Sequence, residues 1–146
     1  MVVEKYVEKL LCSRFLSSRI RCGFYNYFSS ISIGTNSFVG ENVLLDVTGR
    51  IIIIGNDTFI TTGSMVLTHS LDTNELGKDA GYHWNFNSGI TKIGSKVFIG
   101  ANTKILGPLN ICDNCVIASG SVVTRVINEA GIYAGVPAKK IGDIWF

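Results

Sequence analysis

The sequence has few charged residues, few prolines and no long hydrophobic run. Only 16% of its 146 residues are charged and 47% are hydrophobic, so the chain is too apolar to be intrinsically disordered. Two prolines exclude collagen-like and proline-rich sequences. Uninterrupted apolar runs such as Ile51–Ile54 are far shorter than the about 20 residues of a membrane span.

An excess of one charge is also missing. The net charge is +2 and the basic residues form no dominant stripe, which argues against nucleic acid as the main partner. The first residues lack the apolar segment and cleavage site of a signal peptide. We therefore expect a cytoplasmic protein whose four cysteines are reduced thiols.

What the chain does have is a repeat of six residues. Aliphatic side chains recur at this spacing in three runs, which are Ile33, Val39 and Leu45, then Ile54, Ile60 and Val66, then Ile93, Ile99, Ile105, Ile111, Ile117 and Val123. The fifth residue of each hexad is mostly small. This period fits neither an α-helix nor the alternation of a sandwich strand. It predicts an all-β fold, a parallel β-helix in which three hexads form one triangular coil.

The repeat is interrupted three times. Leu45 and Ile54 are nine residues apart, which indicates a bulged corner. Val66 and Ile93 are 27 residues apart, so residues 70–92 are expected to protrude as a loop, and loops of this length are usually functional. The period breaks again at Tyr133, where we expect the chain to leave the β-helix.

The first 21 residues have their apolar side chains at helical spacing, which predicts an amphipathic helix. We expect a single domain with a helical cap at 1–30, a β-helix at 31–130 and a tail at 131–146. The helix either covers the open end of the β-helix or touches a membrane surface through basic residues, so membrane contact is at most peripheral. Those basic residues are Arg14, Arg19 and Arg21.

Two histidines are candidates for chemistry. His69 holds the fourth place of the hexad that begins at Val66, which is a corner position at the mouth of the loop. A core histidine would occupy an axial position, so His69 is a candidate catalytic or ligand-binding residue. His83 lies within the loop beside Trp84 and either contacts a substrate or packs the loop.

The remaining polar motifs are weaker. Cys112 and Cys115 have the spacing of a metal or redox pair, but no second pair accompanies them, so we interpret them as packing residues and expect no metal. Arg125, Lys139 and Lys140 are either solvated surface charges or a clamp for phosphates.

These features together resemble the hexapeptide-repeat acyltransferases, especially the galactoside, maltose and xenobiotic acetyltransferase branch and bacterial polysaccharide O-acetyltransferases. The resemblance is carried by residues 93–102, 117–125 and 134–140 and by the Thr68-His69 pair before the loop. It implies a left-handed β-helix of about four to five coils. It also implies acetyl-CoA as cosubstrate and a homotrimer with active sites between chains.

The resemblance also implies roles for particular residues. His69 is the expected general base, and Gly100, Ala101 and Ser119 are expected to line the pantetheine arm of the cofactor. Thr124, Arg125, Lys139 and Lys140 are expected near its nucleotide end. For the acceptor we expect contacts from His83, Trp84 and Asn85 of the loop and a weaker one from Asp46.

The expected reaction is transfer of an acetyl group to a hydroxyl of a sugar or polysaccharide precursor. An amino-sugar amine and the hydroxyl of serine are alternative acceptors, and a non-catalytic structural β-helix is the alternative to an enzyme. The zinc carbonic anhydrases of this fold need three histidines, whereas this chain has two.

Overall fold

The structure is a computed structural model that describes residues 30–48, 50–71 and 86–144 together with Cys22 and Asn26. The predicted N-terminal helix and most of the predicted loop lie outside these residues. The described strands, numbered in chain order, form three faces of a left-handed parallel β-helix and one small hairpin.

Four strands make the first face: β1 (Ile31–Ile33), β4 (Ile52–Ile54), β9 (Thr91–Ile93) and β12 (Asn110–Ile111). Six make the second: β2 (Phe38–Val39), β5 (Phe59–Ile60), β10 (Phe98–Ile99), β13 (Cys115–Ile117), β15 (Gly131–Ala134) and β16 (Lys139–Gly142). The third holds β3 (Leu44–Asp46), β6 (Met65–Leu67), β11 (Lys104–Leu106) and β14 (Val122–Val123). The hairpin pairs β7 (His69–Leu71) with β8 (Phe86–Ser88).

The register confirms the predicted repeat. Ile33 stacks on Ile54, which stacks on Ile93, and the other hexad positions stack in the same way along the second and third faces. All twelve predicted axial residues are buried, and Leu45 is the most exposed at 7%. Since burying one such side chain contributes about 1.5–3 kcal/mol, this axial column is the main source of stability.

Small hydroxyl residues at the fifth hexad position tie successive coils together. Thr58, Ser64 and Thr103 are fully buried, and their hydroxyls donate to backbone carbonyls of the next coil. For example, Thr58 Oγ1 lies 2.7 Å from the carbonyl oxygen of Gly94. A larger side chain here would displace the axial residues, and an apolar one would leave the carbonyl with fewer donors.

Among the described residues, two of the three corners between faces contain residues with a left-handed backbone. At the first corner these are Asn36, Asp57, Lys96 and Asn114, with φ between 53° and 61°. Gly63 and Gly120 take φ of 72° and 73° at the second corner. Asn, Asp and Gly tolerate this conformation best, so the corner residues fix where each face ends.

The C-terminal tail differs from the prediction. Tyr133 does not leave the β-helix, because β15 extends the second face in parallel and places Tyr133 over Ile117. The tyrosine is 9% exposed and donates a hydrogen bond from its hydroxyl to the carbonyl of Glu129. The chain then reverses, and β16 pairs antiparallel with β15. An aromatic side chain thus occupies the axial position at this end of the column, which a purely aliphatic pattern does not reveal.

Candidate functional site

The site is built where the chain leaves the third face after β6. Thr68 is fully buried, and its hydroxyl donates to the carbonyl of Asp46 at 3.0 Å and accepts from the backbone N–H of Arg50 at 3.1 Å. Its carbonyl accepts from Gly89 N at 3.0 Å, at the foot of the hairpin. These bonds fix the backbone immediately before His69.

Residues of the following coil also contact the end of β6, immediately before Thr68. Thr91 Oγ1 donates to the carbonyl of Leu67 at 2.6 Å. Gly107 packs against both groups so closely that a Cβ there would overlap the Thr91 hydroxyl and the Leu67 carbonyl. These contacts hold the backbone in place at the point where the chain leaves the coil.

His69 is held with one ring nitrogen covered and part of the ring exposed. Its side chain is 31% exposed, but Nδ1 is buried. The carboxylate oxygen Oδ2 of Asp46 lies 3.6 Å from Nδ1. Nδ1 therefore faces the carboxylate, while another part of the ring is exposed at the surface.

The Asp46 carboxylate is itself fixed by a local turn. Its other oxygen, Oδ1, accepts hydrogen bonds from the backbone N–H of Thr48 at 2.8 Å and from the Thr48 hydroxyl. Both donors pull Oδ1 toward residue 48, which leaves Oδ2 directed at the imidazole. The turn thus holds the carboxylate beside the imidazole ring.

The sequence identified Asp46 for a different task. We expected a contact with the acceptor, which stays a prediction, whereas the structure places its carboxylate against the histidine. The coil offset of 21 residues aligns Asp46 with Leu67, two residues before His69, and this brings the carboxylate to the corner where the histidine lies.

The predicted pantetheine-binding residues stack along the second corner. Gly100 packs against the backbone of Ser119 so closely that a Cβ would overlap it, and Gly120 N donates to the carbonyl of Ala101 at 2.8 Å. The turn at 135–138 lies beside them, since Gly135 N donates to Ser121 Oγ at 3.2 Å. These contacts make a ridge of small residues and backbone groups.

The predicted phosphate-binding residues are divided between two places. Thr124 and Arg125 are exposed after β14, at the third corner. Lys139 is exposed in β16, whereas the ammonium group of Lys140 contacts Glu129 and lies 2.6 Å from Asp143 Oδ1. Hydrogen bonds to Asp143 and Glu129 raise the pKa of Lys140 above its usual value.

The other candidates are placed as follows. His83, Trp84 and Asn85 lie outside the described residues. The Sγ atoms of Cys112 and Cys115 are 3.6 Å apart, and no group of three potential metal ligands forms within the described residues. No helix in that part of the chain is long and apolar enough to cross a membrane.

His69 and the ridge of Gly100, Ala101 and Ser119 occupy different corners of the β-helix. His69 follows the third face, while the ridge lies between the second and third faces. The described contacts within one chain do not join the two groups.

The chain is similar in sequence to known acetyltransferases. Residues 90–125 match the family model described as "Bacterial transferase hexapeptide (six repeats)". The chain is 34% identical over 122 residues to galactoside O-acetyltransferase of Escherichia coli, covering 83% of this chain and 58% of that protein. It is 33% identical over 133 residues to serine acetyltransferase of Buchnera aphidicola, covering 90% of this chain and 44% of that protein. The chain thus spans about half the length of these relatives.

Solved structures share the fold. A hexapeptide-repeat-containing acetyltransferase from Vibrio cholerae superposes with a TM-score of 0.75 at 22% identity, over 97% of this chain and 89% of that one. A point mutant of the N-acyltransferase AntD from Bacillus cereus, in complex with dTDP and coenzyme A, gives a TM-score of 0.67 at 23% identity. That match covers 77% of this chain and 63% of the other.

Proposed function

Because the chain belongs to the hexapeptide-repeat transferase family, we propose that it transfers an acetyl group from acetyl-CoA to a hydroxyl of a sugar or polysaccharide precursor. The observation that carries this proposal is the pair of His69 and Asp46, with Nδ1 of the histidine buried against the carboxylate. A fixed imidazole with part of its ring exposed is suited to general-base catalysis.

The reaction needs no covalent intermediate on the protein. His69 Nε2 removes the proton of the acceptor hydroxyl as its oxygen attacks the thioester carbonyl, and Asp46 stabilises the resulting imidazolium. The tetrahedral oxyanion accepts a hydrogen bond from a backbone N–H near Ala101. The C–S bond then breaks, and the imidazolium returns its proton to the departing thiolate of CoA.

The ridge of Gly100, Ala101 and Ser119 is the proposed site of the pantetheine arm, since small residues let an extended chain lie against the backbone. The exposed cations Lys139 and Arg125, with Thr124 nearby, are proposed to face the phosphates of the nucleotide end. Lys140 is proposed to act there indirectly, by holding β16 through its two carboxylate partners.

We further propose that the protein is a homotrimer and that each active site lies between two chains. The separate corners of His69 and the pantetheine ridge support this proposal, because a second chain can bring a ridge to each histidine. We also propose the reducing cytoplasm as the location, where Cys112 and Cys115 would remain free thiols.

Serine is the second candidate acceptor. The relative from Buchnera aphidicola is a serine acetyltransferase and is 33% identical to this chain. Its similarity is close to that of the galactoside enzyme at 34%, so acceptors of both kinds belong in the first assay.

The test measures thiol release from acetyl-CoA with a panel of methyl glycosides, amino sugars and serine. The His69→Ala variant is expected to lose about 10²- to 10⁴-fold in kcat, the usual range for a missing general base, while it still binds acetyl-CoA. The His83→Ala variant is expected to act more on the KM of the acceptor. Near-normal turnover in His69→Ala together with loss in His83→Ala would assign the base to the other histidine.

A further inference from the structure

A serine that the proposed reaction has not used lies across the hairpin from the histidine. In the antiparallel pair of β7 and β8, Ser88 is directly opposite His69, and Asn87 is opposite Ser70. Directly opposed residues of such a ladder project from the same side. Ser88 therefore shares a face with His69, and Asn87 projects from the other face.

The hydrogen bonding of the hairpin shows that this pair is a close one. Gly89 N donates to the carbonyl of Thr68 at 3.0 Å, so Thr68 and Gly89 form a hydrogen-bonded pair of the ladder. Hydrogen-bonded and non-hydrogen-bonded pairs alternate, and the latter have their Cα atoms about 4.5 Å apart with the side chains closer. His69 and Ser88 form the next pair, which is of the non-hydrogen-bonded kind.

Ser88 is accessible to a substrate. Ser88 is exposed, as is Asn87. The backbone just before His69 is held by the hydrogen bonds of the Thr68 hydroxyl to Asp46 and Arg50. A serine hydroxyl both donates and accepts hydrogen bonds. It therefore places a second polar group beside the exposed side of the imidazole.

We propose that Ser88 binds an acceptor oxygen next to the hydroxyl that His69 deprotonates. This inference rests on the proposed acetyl transfer and deepens it, because it names the acceptor class as a vicinal diol. Two protein groups side by side match two adjacent hydroxyls of a sugar ring, whereas serine and isolated alcohols offer one. Ser88 is thus a specificity residue, and His69 remains the base.

The experiment compares methyl glycosides with their monodeoxy derivatives, each lacking one hydroxyl, in wild type, Ser88→Ala and Asn87→Ala. In wild type, removal of the hydroxyl adjacent to the acetylated one is expected to lower kcat/KM about tenfold, as for a lost hydrogen bond. In Ser88→Ala, kcat/KM for the intact glycoside should fall by a similar factor. The variant should then no longer prefer the intact glycoside over that deoxy derivative. Asn87→Ala is the matched control, because Asn87 projects from the opposite face of the hairpin. This variant should still prefer the intact glycoside.

The outcomes separate this inference from the proposed function. If Ser88→Ala still prefers the intact glycoside, or if Asn87→Ala loses that preference equally, the role of Ser88 is overturned. Acetyl transfer itself would be unaffected by either result. Acetylation of serine or amino sugars but of no methyl glycoside would overturn both the diol class and the sugar hydroxyl as acceptor, and would leave acetyl transfer itself in place. An acetylated Ser88 peptide trapped by mass spectrometry would replace the binding role with that of a nucleophile. No thiol release with any acceptor would remove the proposed function and this inference together.

Discussion

Two adjacent lysines in β16 have different surroundings and should respond differently to mutation. Lys139 is exposed, while Lys140 is held by Glu129 and Asp143. Lys139→Ala is expected to raise the KM for acetyl-CoA and leave kcat nearly unchanged, because a phosphate contact binds ground and transition states equally. Lys140→Ala is expected to lower the Tm slightly, since it removes the ion pairs of β16 with Glu129 and Asp143.

Steady-state kinetics and thermal unfolding of both variants measure these effects. Lys104→Ala, in the third-face strand β11, is the control for the loss of one exposed charge. A higher KM in Lys140→Ala than in Lys139→Ala, without a change in Tm, would show that Lys140 contacts the cofactor directly.

A second residue with altered chemistry is Cys115, which is fully buried. Burial, together with its contact to Cys112, raises the pKa of the Cys115 thiol to about 12. The unfolded chain loses this proton near pH 9, while the folded chain keeps it. The folded state thus binds more protons above pH 9, and the free energy of unfolding should fall as the pH rises from 9 toward 12.

Denaturant unfolding between pH 7 and pH 10.5 measures this dependence. Cys115→Ala should be less stable at pH 7 but show a shallower alkaline decline. The raised pKa of Tyr133, caused first by burial, acts in the same direction, so some decline should persist in the variant. If the free energy of unfolding falls equally steeply with pH in wild type and in Cys115→Ala, groups other than Cys115 cause the alkaline loss of stability.

The limits of sequence reasoning are visible at the same scale. His69 could be singled out as a candidate because it stands at a corner, not on the axis, at the mouth of the expected loop. The position of Asp46 against Nδ1 could not, because it depends on the turn at Thr48 and on the 21-residue offset between coils. Ser88 could not either, since only the pairing of β7 with β8 places it opposite the histidine.

At the scale of elements, the first corner contains one residue that is unfavourable for its backbone. Lys96 has φ of 55°, where the equivalent residues are Asn36, Asp57 and Asn114. Asn adopts the left-handed conformation at lower cost than Lys. Lys96→Asn is therefore expected to raise the free energy of unfolding by about 0.5 kcal/mol.

Chemical denaturation measures this change. The control is Lys92→Asn, because Lys92 is an exposed residue in the extended strand β9, where Asn is a poor strand former. That variant should be no more stable than wild type. If both variants are more stable than wild type, the gain in stability comes from removing a positive charge and not from relieving the left-handed backbone at residue 96.

The elements also divide into those that the sequence could predict and those that it could not. A period of six specified all twelve axial residues because each coil buries the same kind of side chain at the same place. The end of the repeat was placed too early, because Tyr133 fills an axial position with a ring and its hydroxyl bonds to Glu129. The antiparallel return of β16 has no periodic signal.

At the scale of the whole molecule, the second face carries an apolar ladder on its outer side. Phe38, Phe59 and Phe98 are in register and are 36%, 44% and 43% exposed. The rings of Phe38 and Phe59 stack with centroids 5.8 Å apart. An exposed row of aromatic residues usually marks a protein interface, so we assign this face to the contact between chains of the proposed trimer.

Phe59→Glu is expected to convert the trimer to folded monomers, because a charge would be buried in the interface. Leu44→Glu is the matched control, since Leu44 is 41% exposed on the third face. Sedimentation equilibrium distinguishes the two. Wild type that sediments as a monomer at micromolar concentration, or a trimer that survives Phe59→Glu but not Leu44→Glu, contradicts the assignment.

A trimer with shared sites also predicts complementation between inactive variants. His69→Ala removes the base, and Ser119→Trp blocks the pantetheine ridge at an exposed position, so each homotrimer should be inactive. If each site takes its histidine from one chain and its ridge from the next, refolding an equal mixture gives about one quarter of the sites an intact copy of both. The mixture should then recover about a quarter of wild-type turnover. If both groups of each site come from one chain, every site carries a lesion and the mixture stays inactive.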